Sequence, residues 1–216
     1  VLQKFIYFAG SLLILALLGG CSSAYYKTME SFGVEKRDIL VDRVEEARDA
    51  QDSASEQFAS ALEQFRATVS VDGGDLEDIY DRLDAEYEKS VAEADDVSER
   101  IDAVESVAGD LFREWEQELE QYSRADLRKN SAKLLKDTRS RYGKLMTSMR
   151  RAEGSMEPVL AAFHDQVLFL KHNLNARAIG ALRNELDTIE RDTARLITQM
   201  QKAIAEANAF IDSMEN

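Results

Sequence analysis

The sequence predicts an all-α protein: an elongated antiparallel helical bundle or coiled coil of three to four long helices, preceded by a cleaved lipoprotein signal peptide. Three observations carry that expectation. Helix breakers are scarce, with one proline in the chain and few glycines after residue 20. Ala, Glu, Arg and Leu, the strong helix formers, are abundant. Beyond about residue 30, apolar residues recur mostly at steps of three and four, the spacing of one helix face.

The N-terminus is of a different kind. Lys4 precedes an apolar run over residues 5–18, which leads into Leu18-Gly19-Gly20-Cys21. A short basic start, a hydrophobic centre and small residues before a cut are the layout of a secretory signal. The cysteine at the cut resembles a bacterial lipobox, whose thiol is joined to diacylglycerol before the preceding peptide is removed. The competing reading is an uncleaved membrane span, but the run makes only about 21 Å of helix where a bilayer core needs about 30 Å. Two or three acyl chains would hold the mature protein stably at a membrane, at about 0.8 kcal/mol per buried CH₂. Ser22 after the cysteine favours the outer membrane by analogy with lipoprotein sorting in Gram-negative cells. Lipidation at Cys21 would also consume the single thiol, leaving no disulfide in an oxidising compartment.

The expected organisation is therefore a signal peptide over residues 1–20, a lipidated linker over 21–29 and one helical bundle over 30–216. Its helices are placed at about 30–70, 75–122, 125–171 and 175–214. The first is marked by Leu40, Val44, Ala47, Ala54, Phe58, Leu62, Phe65 and Val69. Asp72-Gly73-Gly74-Asp75 makes the break, since a tight turn uses glycine's backbone freedom, and Asp75 can cap the second helix. That second helix has the clearest pattern, running Leu76, Ile79, Leu83, Tyr87, Val91, Ala94, Val97, Ile101, Val104, Ala108, Leu111, Trp115, Leu119 and Tyr122. The mean step is about 3.5, the period of a coiled-coil seam. Ser123 and Asp126 have capping-box spacing, with Asp in place of Glu, ahead of a third line through Leu127, Leu134, Tyr142, Leu145, Met149, Ala152 and Met156.

Two places offer the next reversal. Gly154-Ser155-Met156-Glu157-Pro158 can end one helix and start another with proline in its first turn, or can kink a continuous helix. His172-Asn173-Leu174-Asn175 can turn the chain, with Asn175 as the next cap. A turn at 172–175 gives helices of about 41, 48, 47 and 40 residues that pair along their whole lengths. A turn at 154–157 leaves long apolar overhangs, although the apolar line does run on through Leu170, Leu174, Ala178 and Leu182.

Charge supports the pairing. Residues 74–122 carry 18 acidic and 4 basic side chains, and residues 124–153 carry 10 basic and 3 acidic. Antiparallel neighbours of opposite sign attract. The basic stretch, with Lys129, Lys133 and Lys136 at its head, either pairs with the acidic helix or forms a patch for lipid phosphates or another anionic envelope polymer. The whole chain has a formal charge of −14, which disfavours nucleic acid as a partner.

Motifs of catalysis are missing from the sequence. His164 and His172 lie about 80° apart around a helix and about 12 Å along it, so one straight helix cannot easily offer both to a metal. The Glu-x-x-His pattern of carboxylate-bridged metal bundles is absent, as are Cys-x-x-Cys, His-Glu-x-x-His and a phosphate-binding glycine loop. No catalytic residue, cofactor or metal is expected. His172, Asn173 and Asn175 form either a turn or a polar site for a small ligand or partner. Tyr25 and Tyr26 belong to the linker or to the membrane interface. Ala47, Ala50, Ala54, Ala203 and Ala207 permit close helix approach, within one chain or between copies.

Several stretches resemble domain-of-unknown-function family 2959, whose members are Gram-negative proteins, commonly lipoproteins by sequence. The resemblance lies in the lipobox at Cys21, Leu127-Arg128-Lys129-Asn130-Ser131, Met156-Glu157-Pro158-Val159-Leu160 and the run from Val167 through Lys171-His172-Asn173-Leu174-Asn175-Ala176. It implies a helical fold and an envelope location, and brings no catalytic residues. The expected role is a non-enzymatic envelope lipoprotein: a helical scaffold or protein-interaction module in the periplasm. It is anchored to the membrane by lipid and bound to an envelope protein or to itself. The alternative is a binding module for a lipid or anionic envelope component; a hydrolase or metal-binding protein is a distant third.

Overall fold

A computed structural model describes residues 35–70, 76–173 and 176–215. Cys21, Tyr25, Tyr26, the 72–75 turn and Asn175 lie outside the described residues. Among the described residues five helices occur in order: α1 Lys36–Ser70, α2 Leu76–Leu119, α3 Ala125–Glu153, α4 Met156–His172 and α5 Ala176–Glu215. No strand occurs among them.

The joint between α3 and α4 does not reverse the chain. Gly154 (φ −64°, ψ −10°) and Ser155 (φ −90°, ψ −9°) both keep right-handed helical backbone. The Gly154 N–H still donates to the Arg150 carbonyl at 3.0 Å, and the Ser155 N–H donates to Ala152 at 3.1 Å. Pro158 cannot donate to the residue four before it, Gly154, and it stands in the first turn of α4, where a missing N–H is tolerated. α3 and α4 therefore form one arm with a tightened turn inside it, and the chain turns only after His172. The bundle has four packed helical arms.

Register contacts show that neighbouring arms are antiparallel. Lys36 at the start of α1 meets Glu114 near the end of α2 at 2.7 Å, and Gln57 donates to Glu86 at 2.9 Å. Arg66 on α1 reaches Glu190 on α5 at 2.5 Å, while Arg48 donates to Asn208 at 3.2 Å. α2 and the α3–α4 arm meet through Arg150 and Glu105 at 2.6 Å and through Tyr87 stacked on His164, ring centroids 5.2 Å apart. α5 closes on that arm through Tyr142 and Phe210, and Ser155 donates to Gln199. Each arm thus has two neighbours, and α1 meets the arm diagonally opposite through Phe65 against Phe163, ring centroids 6.3 Å apart.

The core is the apolar line of each helix. α1 buries Leu40, Val44, Ala47, Ala54, Phe58 and Phe65, and α2 buries Ile79, Leu83, Val97, Ile101, Val104, Ala108 and Phe112. From α5 come Leu182, Ile189, Leu196, Met200, Ala203, Ala207 and Phe210. Ala47, Ala50 and Ala54 flank a fully buried Gln51, whose Nε2 and Oε1 have no hydrogen-bond partner.

One end of the bundle departs from the expected seam. Tyr142 on α3 lies against Phe210 on α5, and α5 ends at Glu215. In an antiparallel pair, five residues further along α5 correspond to five residues back along α3. The first turns of α3 therefore extend past the end of α5 by about 18 Å. α1 starts level with Glu114, short of the same end. Tyr122, Leu127 and Leu134, expected on the buried line, are exposed by 41%, 43% and 56%. The buried positions of this part of α3 are Ser131, Leu135 and Thr138, so Leu134 falls beside the covered face, while Tyr122 and Leu127 lie beyond the ends of α1 and α5. The capping box is corrected too: the N-cap is Arg124, with extended backbone and no side-chain cap. Asp126 pairs with Arg124 at 2.5 Å, and that guanidinium holds its carboxyl below the usual range.

Gln51 is the clearest site of instability in the core. An unpaired buried amide costs about 1–3 kcal/mol, and methionine has similar length without the polar atoms. Gln51→Met is expected to raise unfolding free energy by about that amount in urea titration.

Candidate functional site

Three features concentrate polar or exposed groups: the basic arm, the turn after α4, and the end where α2 and α3 run beyond the described ends of α1 and α5.

On the basic arm, three arginines reach the carboxylates of α2 and the turn after it. Arg150 gathers three carboxylates, Asp102 at 2.5 Å, Glu105 at 2.6 Å and Glu153 at 2.9 Å. Its hydrogen bond to Glu105 is the largest of the influences that hold the guanidinium above the ordinary arginine range. Arg139 pairs with Glu116 and lies over the Phe112 ring, 5.1 Å from its centroid, and Arg128 pairs with Glu120 at 2.5 Å. These ties join the basic arm to the acidic helix. Lys129, Lys133 and Lys136 are exposed and have no ion-pair partner among the described residues. They stand at i, i+4 and i+7, so they share one outward face of α3.

At the turn, His172 is exposed and ends α4, and Asn173 is its C-cap. The Asn173 side chain donates to the Phe169 carbonyl at 2.9 Å, and its backbone N–H donates to Leu170 at 3.0 Å. Asn173 is thus committed to ending the helix. The structure does not bring His164 to this turn: its ring lies against Tyr87, toward α2. No group of three His, Cys, Asp or Glu suited to a metal occurs among the described residues. Leu168 and Phe169 are exposed beside the turn, by 45% and 39%.

The third feature was not foreseen from the sequence. Where α1 starts and α5 ends, a groove of about 750 Å³ opens against the α2–α3 hairpin. Its floor is Leu111, Trp115, Leu134 and Met214, and Lys36 and Glu114 stand at its edge. Trp115, expected in the core, is only half-buried, and its indole N–H donates to Ser131 Oγ at 2.8 Å, tying the hairpin together. Among the described residues, the groove lies where α1 begins and α5 ends short of the α2–α3 turn.

Near this end Tyr142 is wedged between Phe112 and Phe210, with ring centroids 5.3 and 6.5 Å away. Burial pushes its phenol up to about 12, Glu105 adds to the rise, and Arg150 opposes it.

A family model described as a protein of unknown function, DUF2959, matches residues 25–214, and the chain belongs to that family. No curated protein and no solved structure gives a significant match.

Two outcomes are expected from the charge layout and one from Tyr142. Reversing Lys129, Lys133 and Lys136 together to Glu leaves the unfolding free energy within about 0.5 kcal/mol per site, because no partner is lost. Arg150→Met lowers it by about 1–3 kcal/mol, because three carboxylates are left crowded. Chemical denaturation followed by circular dichroism separates the two. Tyr142 favours the neutral phenol in the folded state, so its contribution is complete below pH 10 and is lost as pH rises through about 12. Between those values the stability of the native chain should fall relative to Tyr142→Phe in melts at stepped pH.

Proposed function

We propose that this member of the DUF2959 family is a non-enzymatic cell-envelope lipoprotein, held by lipid at Cys21 and facing the periplasm from the outer membrane. In this reading its helical rod is a scaffold or interaction module. The observation that carries the proposal is the Leu18-Gly19-Gly20-Cys21 sequence ahead of a chain that is otherwise a long helical bundle. Such a bundle offers length and several parallel surfaces. α2 alone runs about 66 Å at 1.5 Å per residue. No helix among the described residues is long and apolar enough to cross a membrane.

Exposed apolar side chains at both ends favour a protein partner or a second copy: Tyr122, Leu127 and Leu134 at one end, Leu168 and Phe169 at the other. Short patches of this kind, rimmed by charge, suit association with another surface. A second reading rests on Lys129, Lys133 and Lys136. Their ammonium groups share one exposed face and have no ion-pair partner among the described residues, a layout that would hold an anionic lipid headgroup or envelope polymer.

The test is performed in Gram-negative cells expressing the whole chain with a radiolabelled palmitate supply. The label should enter the protein and be lost in Cys21→Ser. In-cell crosslinking from positions 127, 134 and 168 should then give one protein product in stoichiometric yield. Capture of lipid alone would overturn the scaffold reading and favour the lysine face.

A further inference from the structure

The outward faces of α2 and α3 carry opposite charge, and they carry it in opposite halves of the rod. On α3, Lys129, Lys133, Lys136, Lys144 and Arg151 are all exposed. At about 100° per residue they fall within about 80° of arc, so they form one basic stripe about 33 Å long. One carboxylate, Asp137, stands at its edge. On α2, Asp81, Glu88, Asp95 and Glu99 are exposed and fall within about 40° of arc, an acidic stripe about 27 Å long. The members of both stripes have no ion-pair partner among the described residues. The ties between α2 and α3 inside one copy are made instead by Arg139 to Glu116 and by Arg150 to Glu105.

The heights of the two stripes are matched. Arg150 meets Asp102 at 2.5 Å, near the middle of α2. From that tie the basic stripe runs toward the α2–α3 turn, and the acidic stripe runs the other way. Lys136 and Glu88 each stand about 21 Å along their helices from the tie, and Lys129 and Asp81 each about 32 Å. Lys144 and Asp95 stand about 9 and 11 Å from it. We propose that this side of the rod is a self-complementary interface whose occupant is a second copy of the chain. The second copy lies end for end and crosses at a shallow angle, so each basic stripe runs along the other copy's acidic stripe.

A twofold arrangement makes every such contact twice. Single exposed pairs contribute little, but complementary potentials select a partner and set its register. A long anionic surface fits less well. Lying along residues 129–151, it would continue into the half that carries Asp81, Glu88 and Asp95, and the formal charge of −14 opposes it throughout. A second copy presents anions only where this one presents cations. The inference rests on the scaffold reading, of which it names the partner, and it gives the lysine face to a second copy in place of lipid.

The test uses the whole chain with Cys21→Ser, purified in a nonionic detergent with micelles in excess over protein. Copies carrying Lys136→Cys, mixed with copies carrying Glu88→Cys, should form a disulfide between chains under mild oxidation. Lys136→Cys with Asp52→Cys, on α1, should not. Self-association followed by sedimentation should weaken at least about tenfold when Lys129, Lys133 and Lys136 are all changed to Glu. Changing Asp81, Glu88 and Asp95 to Lys should do the same. Both sets in one chain should restore association to within about threefold, because the stripes have then exchanged signs. Circular dichroism checks that each variant keeps its helical signal. Three results would overturn the proposal. In one, the doubly reversed chain associates no better than either single set. In another, the disulfide is no more frequent than its control. In the third, the lysine face is protected only by phosphatidylglycerol vesicles, which gives it to lipid. A chain that stays monomeric yet still crosslinks to another protein in cells would sink the self-pairing and leave the scaffold reading standing.

Discussion

A helix of about forty residues has one apolar stripe, and that stripe must be covered along its whole length. This constraint organises the molecule. α1 covers α2 on one side and α5 on the other, and the α3–α4 arm covers both from the opposite side. Had the chain reversed at Gly154, α3 would have ended near the middle of α2, and the rest of that helix would have lost a partner. The arm instead carries helical backbone through Gly154 and Ser155 and lets the chain turn where α2 itself begins to run out. The missing proline donor costs one hydrogen bond, and a missing half-arm would have uncovered Phe163, Val167 and Leu170.

Burial supplies most of the favourable energy, and electrostatics chooses among registers that bury similar area. The α2 and α3 charge blocks are of opposite sign, but the attraction is not spread evenly. It is concentrated at Arg150, whose planar fork reaches Asp102, Glu105 and Glu153. A slip of one helical turn would separate that fork from its partners and set carboxylates against one another. Exposed pairs such as Arg128 with Glu120 add little on their own. Gln51 acts in the other direction. A buried amide without partners lowers stability, and it sits in an alanine-rich stretch where closely approaching helices leave little room for adjustment.

Much of the architecture could be read in the sequence because helical spacing is local. Ile79, Leu83, Val97, Ile101, Val104, Ala108 and Phe112 mark a buried face by position alone, and each is buried. Leu127 and Leu134 have the same kind of spacing and are exposed. Periodicity tells which side of a helix is apolar; it does not tell whether another helix extends far enough to lie against it. For the same reason the groove at Trp115 was invisible, since it depends on where α1 and α5 stop relative to α2 and α3. Which members of the basic stretch pair with the acidic helix was equally hidden, because it depends on side-chain geometry across a register set elsewhere: Arg139 and Arg150 do, and Lys129, Lys133 and Lys136 have no ion-pair partner among the described residues. The cap at Arg124 was missed because Ser123 and Asp126 fit a local pattern that an ion pair outcompeted.

The pairing of α1 with α5 also has a kinetic side. α1 with α2, and α2 with α3, are neighbours in sequence, and their contacts close short loops. Arg66 with Glu190 and Arg48 with Asn208 join positions 124 and 160 residues apart. Contacts of such separation carry the largest loop-closure entropy and form late unless other pairings have shortened the path. The α1–α5 seam is therefore the costliest in the bundle to close, and it is the seam that completes the ring of four arms.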